Sequence, residues 1–434
     1  FPGGLDALRK ALTDPVSRVR AQAVVSFANL APVGDRCEGL LEAASDEATQ
    51  VAIAALDRLG EPCSEVGPQV QRLREIAGDG DARTETGWHR GAHALVALAR
   101  LDPAAASTLV GEYAGHPSPF ARAYAARAAG ITGDGRLLES LAGDTDPNVR
   151  TAATQALFRL VGHDADPLLV QQLTRDDPQL LLTAAGLLEG TPTPAAAERP
   201  LLETFHRISA AGEQTLRDPR MGILQRLGEV GGAETTAELE PYLSDYDPLV
   251  AERVAELVTE WTGQPTVASP NLVVPEPVPP PEALDELAAS RVILEMEGDG
   301  EIAIRLFPHE APTNAARFAE LARSGALDGL TFHRVVSNFV IQGGSPNANE
   351  MAGHGQYTRD EIGLRSNWRG TVGTSTRGRD TGDGQIFINL VDNLRLDHNY
   401  TIFGEVVAGM DVVDRVVEGQ VILRARVEPD PPGP

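Results

Sequence analysis

Seven prolines fall between Pro265 and Pro281. Proline removes a backbone donor and fixes φ, and at this density it favours extended polyproline II over packed structure. The stretch "QPTVASPNLVVPEPVPPPEALDELAAS" therefore divides the chain. Before it, apolar residues recur at three- and four-residue steps. After it, they alternate with polar ones. With 434 residues the chain is also too long for one ordinary core. We expect an α-helical domain over 1–262, a proline-rich linker over 263–289, a mainly-β domain over 290–425 and a disordered tail over 426–434.

The segment "DTDPNVRTAATQALFRLVG" sets the pattern of the first half. Asp146 can cap a helix and Pro147 suits its first turn. Val149, Ala152, Ala153, Ala156, Leu157 and Leu160 then share one face, and Gly162 stands where such a helix would stop. Variants recur from Thr13, Ser45, His116, Arg175, Arg217 and Asp245. From Pro119 through Pro147, Pro178 and Pro219 to Pro248 the steps are 28, 31, 41 and 29 residues. A unit of that length makes a helical hairpin that cannot bury its own apolar face, so neighbours must stack into a solenoid. The stretch around Trp88 fits the pattern poorly. Arg20, Arg122 and Arg150 recur early in these helices and are expected to pair with an acidic residue of the next repeat. The small-residue-rich pattern resembles HEAT-type repeats, and such curved surfaces usually bind other proteins, so a protein partner on the repeat surface is expected.

Beyond Ser290, "RVILEMEG" and "EIAIRLFP" read as a β-hairpin, and "APTNAARFAELARSG" as a short helix with Phe318 and Leu321 on one face. Further short strands and glycine-rich loops fit an antiparallel barrel carrying one or two helices. Within it, "FHRVVSNFVIQGG" sets a guanidinium, Arg334, in a strand that a purely structural role would keep apolar. In "QIFIN", Gln385, Phe387 and Asn389 share one face, and in "FVIQ" so do Val340 and Gln342. A polar residue beside a pocket-forming apolar one, twice over, suits a peptide groove.

From about Arg291 to Val421 these motifs resemble the cyclophilin family of peptidyl-prolyl isomerases. The hairpin, "APTNAARFAELA", "FHRVVSNFVIQGG", "GQIFIN" and "LDHNYTIFGEVVAGMDVVD" stand in the family's order. Together with the HEAT-type pattern before the linker, the resemblance implies an all-α HEAT-like solenoid followed by a cyclophilin-like barrel that isomerises X–Pro bonds in polypeptide clients and assists their folding. It makes Arg334 the central catalytic residue, with His333 beside it and Gln385 and Gln342 holding the peptide backbone and orienting the arginine. Phe339, Val340, Phe387 and Leu396 would line the proline pocket, with Ser375 and Thr376 supplying the strand against which the peptide lies. Tyr400 stands where many members carry histidine. Ser375, Thr376, Arg377, Arg379 and Arg395 depart from the family's usual residues, which leaves open a proline-peptide-binding module or scaffold with little turnover. His333 is read as structural sooner than as a base, since isomerisation needs no proton transfer.

Composition narrows the partners. The net charge of −25, with no basic stripe, argues against nucleic acid and against an anionic membrane surface. No apolar run approaches a membrane span. Nine histidines lack ligand spacing, so neither a metal nor another cofactor is expected; "GDGDARTETG" and "EGDGE" resemble calcium loops only superficially. Cys37 and Cys63, the two cysteines, fall in adjacent repeats and are either disulfide-bonded or two free thiols. A bridge, with a chain that opens on Phe1, would suit export to a bacterial periplasm or cell envelope; the cytoplasm is the alternative.

Overall fold

The computed structural model describes residues 4–430, apart from 82, 83 and 299. Its first part is a stack of helices: α1 (Gly4–Ala11), α2 (Ser17–Leu30), α3 (Val33–Ala43), α4 (Thr49–Leu56), α5 (Val66–Ala77) and α6 (Trp88–Leu101). The stack continues with α7 (Pro103–Ala114), α8 (Pro119–Thr132), α9 (Gly135–Leu141), α10 (Pro147–Val161) and α11 (Asp166–Gln172). It ends with α12 (Pro178–Leu187), α13 (Pro194–Ala210), α14 (Arg217–Val230), α15 (Thr236–Leu239) and α16 (Pro248–Thr262). The even-numbered helices pack successively on one another to form one ridge, with the odd-numbered helices behind them.

The local rules explain the starts. Asp102, Asp146, Asp177 and Asp247 each stand before a proline and accept backbone N–H bonds from the helix they cap. The small residues permit close approach: a Cβ on Gly130 would lie 2.9 Å from the Cβ of Ala156, across α8 and α10. Along α10 Val149, Ala153, Ala156 and Leu157 of the expected apolar face are buried, Ala152 is half-buried, and Leu160, in the last turn, is exposed. The solenoid core runs in two stretches that meet at Phe158. Arg20 pairs with Asp46 at 2.7 Å and Arg122 with Asp144 at 2.8 Å, each acid lying ahead of the next inner helix. Arg150 departs from this expectation. Its Nη1 donates to the carbonyls of Asp144 and Thr145 in the turn before its own helix. A disulfide joins Cys37 on α3 to Cys63, in the turn ahead of α5, with Cα atoms 5.8 Å apart.

The linker is not a free spacer throughout. Ser269 and Asn271 donate backbone bonds to Leu243 and Asp245, so its first half lies along the end of the solenoid. Its last residues form α17 (Pro281–Ala288), whose Leu287 is buried in the core of the following domain. Proline at a first helical turn is pre-set for helix, which is why Pro281 opens this one.

The second domain comprises β1 (Ser290–Met296), β2 (Gly300–Leu306), α18 (Pro312–Arg323), β3 (Thr331–Phe332), β4 (Arg334–Val336) and β5 (Val340–Gly343). Then follow β6 (Thr371–Thr374), β7 (Ile386–Asn389), β8 (Ile402–Ala408), α19 (Met410–Val413) and β9 (Gln420–Pro429). The strands pair antiparallel in the order β3-β9-β1-β2-β8-β6-β7-β5-β4. Because β3 and β4 are consecutive, separated by His333 alone, the two ends of that order meet and the barrel is nearly closed. Strand β9 runs to Pro429, so the barrel extends past the expected end at 425: the register Arg291↔Glu428 holds these residues in the sheet. Of the expected tail, residues 431–434 lie outside the described residues.

The barrel sits against the inner ridge of the solenoid. Gln50 on α4 donates to the carbonyl of Val416, His89 on α6 to that of Glu418, and Asn148 on α10 to that of Asn347. Asp177 accepts from both Asn347 and Asn349, and Arg377 reaches Asp218 on α14 at 2.7 Å. Gly419, with φ of +84°, leaves the turn before β9 close enough to Phe120 that a Cβ would lie 2.8 Å from its ring. The poor fit around Trp88 has its reason here: α6 is aromatic where it meets the barrel, Trp88 stacking on His89 and Phe120.

Candidate active site

Strand register assembles the site. Arg334 on β4 stands opposite Gln342 on β5, which stands opposite Phe387 on β7, which stands opposite Gly373 on β6. Alternation then splits each strand between two faces. Ile341, Ile386 and Ile388 turn into the barrel core. Val340 and Phe387 turn out and form a separate apolar cluster with Phe307 and Ile402, against which Phe339, Leu396 and Tyr400 pack. The groove so formed is a cavity of about 230 Å³ bounded by Arg334, Gln342, Ser375 and Thr376 as well as the apolar cluster. Tyr400 meets Phe387 edge-on, with ring centroids 5.7 Å apart.

A polar relay backs the arginine. Its Nη1 donates to Gln342 Oε1 at 3.3 Å, and Gln342 Nε2 donates to Ser375 Oγ at 2.9 Å and to Gln385 Oε1 at 3.4 Å. Gln385 Nε2 in turn donates to the Ala352 carbonyl at 2.8 Å and the Glu350 carbonyl at 3.2 Å. Both glutamines are buried, so their orientation is held by these bonds. The sequence-expected residues thus converge, with two qualifications. Gln385 lies behind the groove, not in its lining. His333 faces away from it, toward the solenoid.

His333 is buried at the seam between β3 and β4, and neither ring nitrogen has hydrogen-bonding geometry to a described group. Burial, reinforced by the charge of adjacent Arg334, pushes its pKa down to about 4; the nearby Thr331 backbone offsets this only in part. A neutral imidazole at that depth is a poor proton carrier near pH 7.

A sequence model described as cyclophilin type peptidyl-prolyl cis-trans isomerase/CLD matches residues 291–431. A peptidyl-prolyl cis-trans isomerase of Helicobacter pylori (strain 26695) is 36% identical over 142 residues, covering 32% of this chain and 87% of the relative. The chain belongs to the cyclophilin family. Peptidyl-prolyl cis-trans isomerase B of Bacillus subtilis is 35% identical over 135 residues, 31% of this chain and 94% of that protein. A solved cyclophilin-type isomerase of Cryptosporidium parvum aligns over 32% of this chain and 99% of its own, with TM-score 0.31 and 23% identity.

Within the cyclophilin groove, four further residues act on the site. Glu350 pairs with Arg334 Nε at 3.2 Å, although both side chains are more than one-third exposed. Gly373 gives Phe387 room to lie across β6. Arg395 lies 4.4 Å over the Phe339 ring. Arg377, half-buried at the groove's edge, donates to Asp383 at 2.9 Å, to the Glu350 carbonyl at 2.6 Å and to Asp218. Burial disfavours its charge, but Asp383, Tyr357 and Asp218 outweigh that and hold it protonated. Through Asp218 it ties the turn after β6 to the solenoid. Nothing local in the sequence marks Glu350 or sets Gly373 against Phe387. Among the described residues no cluster of three or more His, Cys, Asp or Glu side chains could hold a metal ion.

Proposed function

We propose that this groove interconverts cis and trans X–Pro bonds in client polypeptides, with Arg334 as the donor to the rotating amide. The barrier of about 18–20 kcal/mol comes from amide resonance, so a catalyst has only to favour the twisted amide. A proline ring seated on Val340 and Phe387 would bring its amide beneath the guanidinium, whose planar fork keeps its charge at all working pH values. The observation that carries this reading is the cross-strand row of Arg334, Gln342 and Phe387. Arg334→Ala is expected to lower kcat/KM on a short proline peptide by about 100-fold, the scale of losing one preorganised donor, while circular dichroism stays native. Near wild-type turnover would remove the assignment.

A second reading, proline-peptide capture with little turnover, is favoured by one contact: Glu350 engages the same guanidinium. Binding without acceleration of isomerisation would select it. We further infer that the solenoid meets clients at the rim it shares with the groove, since its inner ridge is otherwise occupied by the chain's own barrel. Export to an oxidising compartment, such as a bacterial periplasm or cell envelope, is supported by the Cys37–Cys63 bridge.

A further inference from the structure

The solenoid and the barrel leave a second cavity between them, of about 500 Å³. It abuts the proline groove, because Arg334 and Glu350 line both. One wall is barrel: His333, Arg334 and the 348–350 segment. The other is solenoid, contributed by α8, α10 and α12. A peptide whose proline occupies the groove and which continues past Arg334 enters this space.

The solenoid wall has a definite chemistry. Arg127 on α8, Gln155 and Arg159 on α10, and Gln179 on α12 line it. Positions 155 and 159 are one turn apart and share a face. The acidic groups of the cavity already have partners. Asp146 caps α10, Glu418 accepts the Tyr124 hydroxyl at 3.0 Å, and Glu350 holds Arg334. The two arginines are not so engaged. Arg127 lies over the Tyr124 ring at 4.4 Å, and among the described residues neither Arg127 nor Arg159 has a carboxylate partner. An independent sign comes from the opposite wall. His333 is 7% exposed, lines this cavity and leaves both ring nitrogens unmatched among the described residues. A buried polar group without a partner costs free energy that a ligand's backbone would restore.

We propose that this cavity is a second client subsite, built by the solenoid, that receives residues flanking the isomerising proline and favours acidic side chains there. The proposal rests on the isomerase reading of the groove and deepens it by naming the class of client sequence.

The test uses the full chain and a short proline peptide extended on either flank by two glutamates, two glutamines or two lysines. Turnover and affinity are measured for each, affinity by fluorescence anisotropy. In the wild type the glutamate extension on one flank should raise kcat/KM about threefold to tenfold over glutamine, the yield of one or two exposed ion pairs. Arg127→Gln with Arg159→Gln should bring that ratio to about one. Arg127→Glu with Arg159→Glu should transfer the preference to the lysine peptide, which distinguishes lost charge from lost folding. Equal values for all three extensions on both flanks, or a glutamate preference that survives charge reversal, would overturn the proposal. If no peptide is accelerated, the isomerase reading fails, and the affinity ratios still decide the subsite.

Discussion

Gly373 supports the groove without lining it. It stands opposite Phe387, and a Cβ there would lie 2.3 Å from Cζ and 2.6 Å from Cε1 of that ring. Carbon atoms in contact sit about 3.5–4.0 Å apart, so the ring or β6 must yield by roughly 1.2 Å or more. Phe387 is 5% exposed and closed in by Phe307, Val340, Ile402 and Tyr400. Its one open direction is into the proline pocket. A displacement of about 1 Å at a catalytic site can cost about 100-fold in rate. Gly373 has no positive φ, so the backbone accepts any residue and the defect would be steric. Gly373→Ala is expected to lower kcat/KM on a short proline peptide about tenfold, and Gly373→Val about 100-fold. Overpacking should cost no more than about 1–3 kcal/mol of stability, which thermal unfolding monitors alongside. A folded Gly373→Val chain with kcat/KM within twofold of wild type would refute the reasoning, because Phe387 would then not be the floor of the site.

Acid should loosen the contact between the domains. His89 and His333 are both held neutral by burial, with pKa values near 4 against an ordinary 6.5, so their stabilisation is present above pH 6.5 and is lost as pH falls through 4. At pH 5 each costs about 2 kcal/mol, and denaturant unfolding at pH 7 and pH 5 should show a His89→Gln, His333→Gln chain losing about 4 kcal/mol less than wild type; equal losses would contradict this. Arg377→Ala strands the buried carboxylate of Asp383 and should destabilise the chain by about 3 kcal/mol; a change below about 0.5 kcal/mol would show that Asp383 does not depend on this pairing. Titration of the unreduced, denatured protein should find no free thiol, and two titratable thiols in freshly isolated protein would remove the support for export.

Much of this architecture was legible because it is local. Asp146 and Pro147 announce a helix start through hydrogen bonds within four residues, and the alternation in "QIFIN" places Phe387 outside the core without knowledge of its neighbours. Arg334 stood out because a guanidinium in an apolar strand demands a partner. What escaped was set by long-range contact. Glu350 reaches Arg334 from a loop with no periodicity to read. Leu160, apolar and in phase, is exposed in the last turn of α10, which periodicity alone does not foretell. His333 carried no sign of facing the solenoid, since the seam between β3 and β4 exists only once the barrel closes. The docking of the two domains was illegible for the same reason: Asn148, Asp177 and Asp218 look like ordinary cap and surface residues until the barrel is set against them.

The loop from Ser345 to Tyr357 ties these observations together. On one side it is clamped by the solenoid, through Asn347 and Asn349 to Asp177, Asn148 to the Asn347 carbonyl, and Gln214 to Gly355 and Tyr357. On the other side it supports the groove, through Glu350 to Arg334 and the Glu350 and Ala352 carbonyls to Gln385. The solenoid supplies part of the loop's bonds, and Arg377, in the turn after β6, joins the same assembly through the Glu350 carbonyl and Asp218. The residues that depart from the family's pattern between Ser375 and Arg379 are therefore not scattered. Ser375 bonds Gln342 and Arg377 bonds the solenoid, so the groove's orientation and its attachment are built from the same short segment. A shift of the solenoid relative to the barrel would reach Arg334 within two hydrogen-bonded steps, from Asp177 through the loop backbone to Glu350.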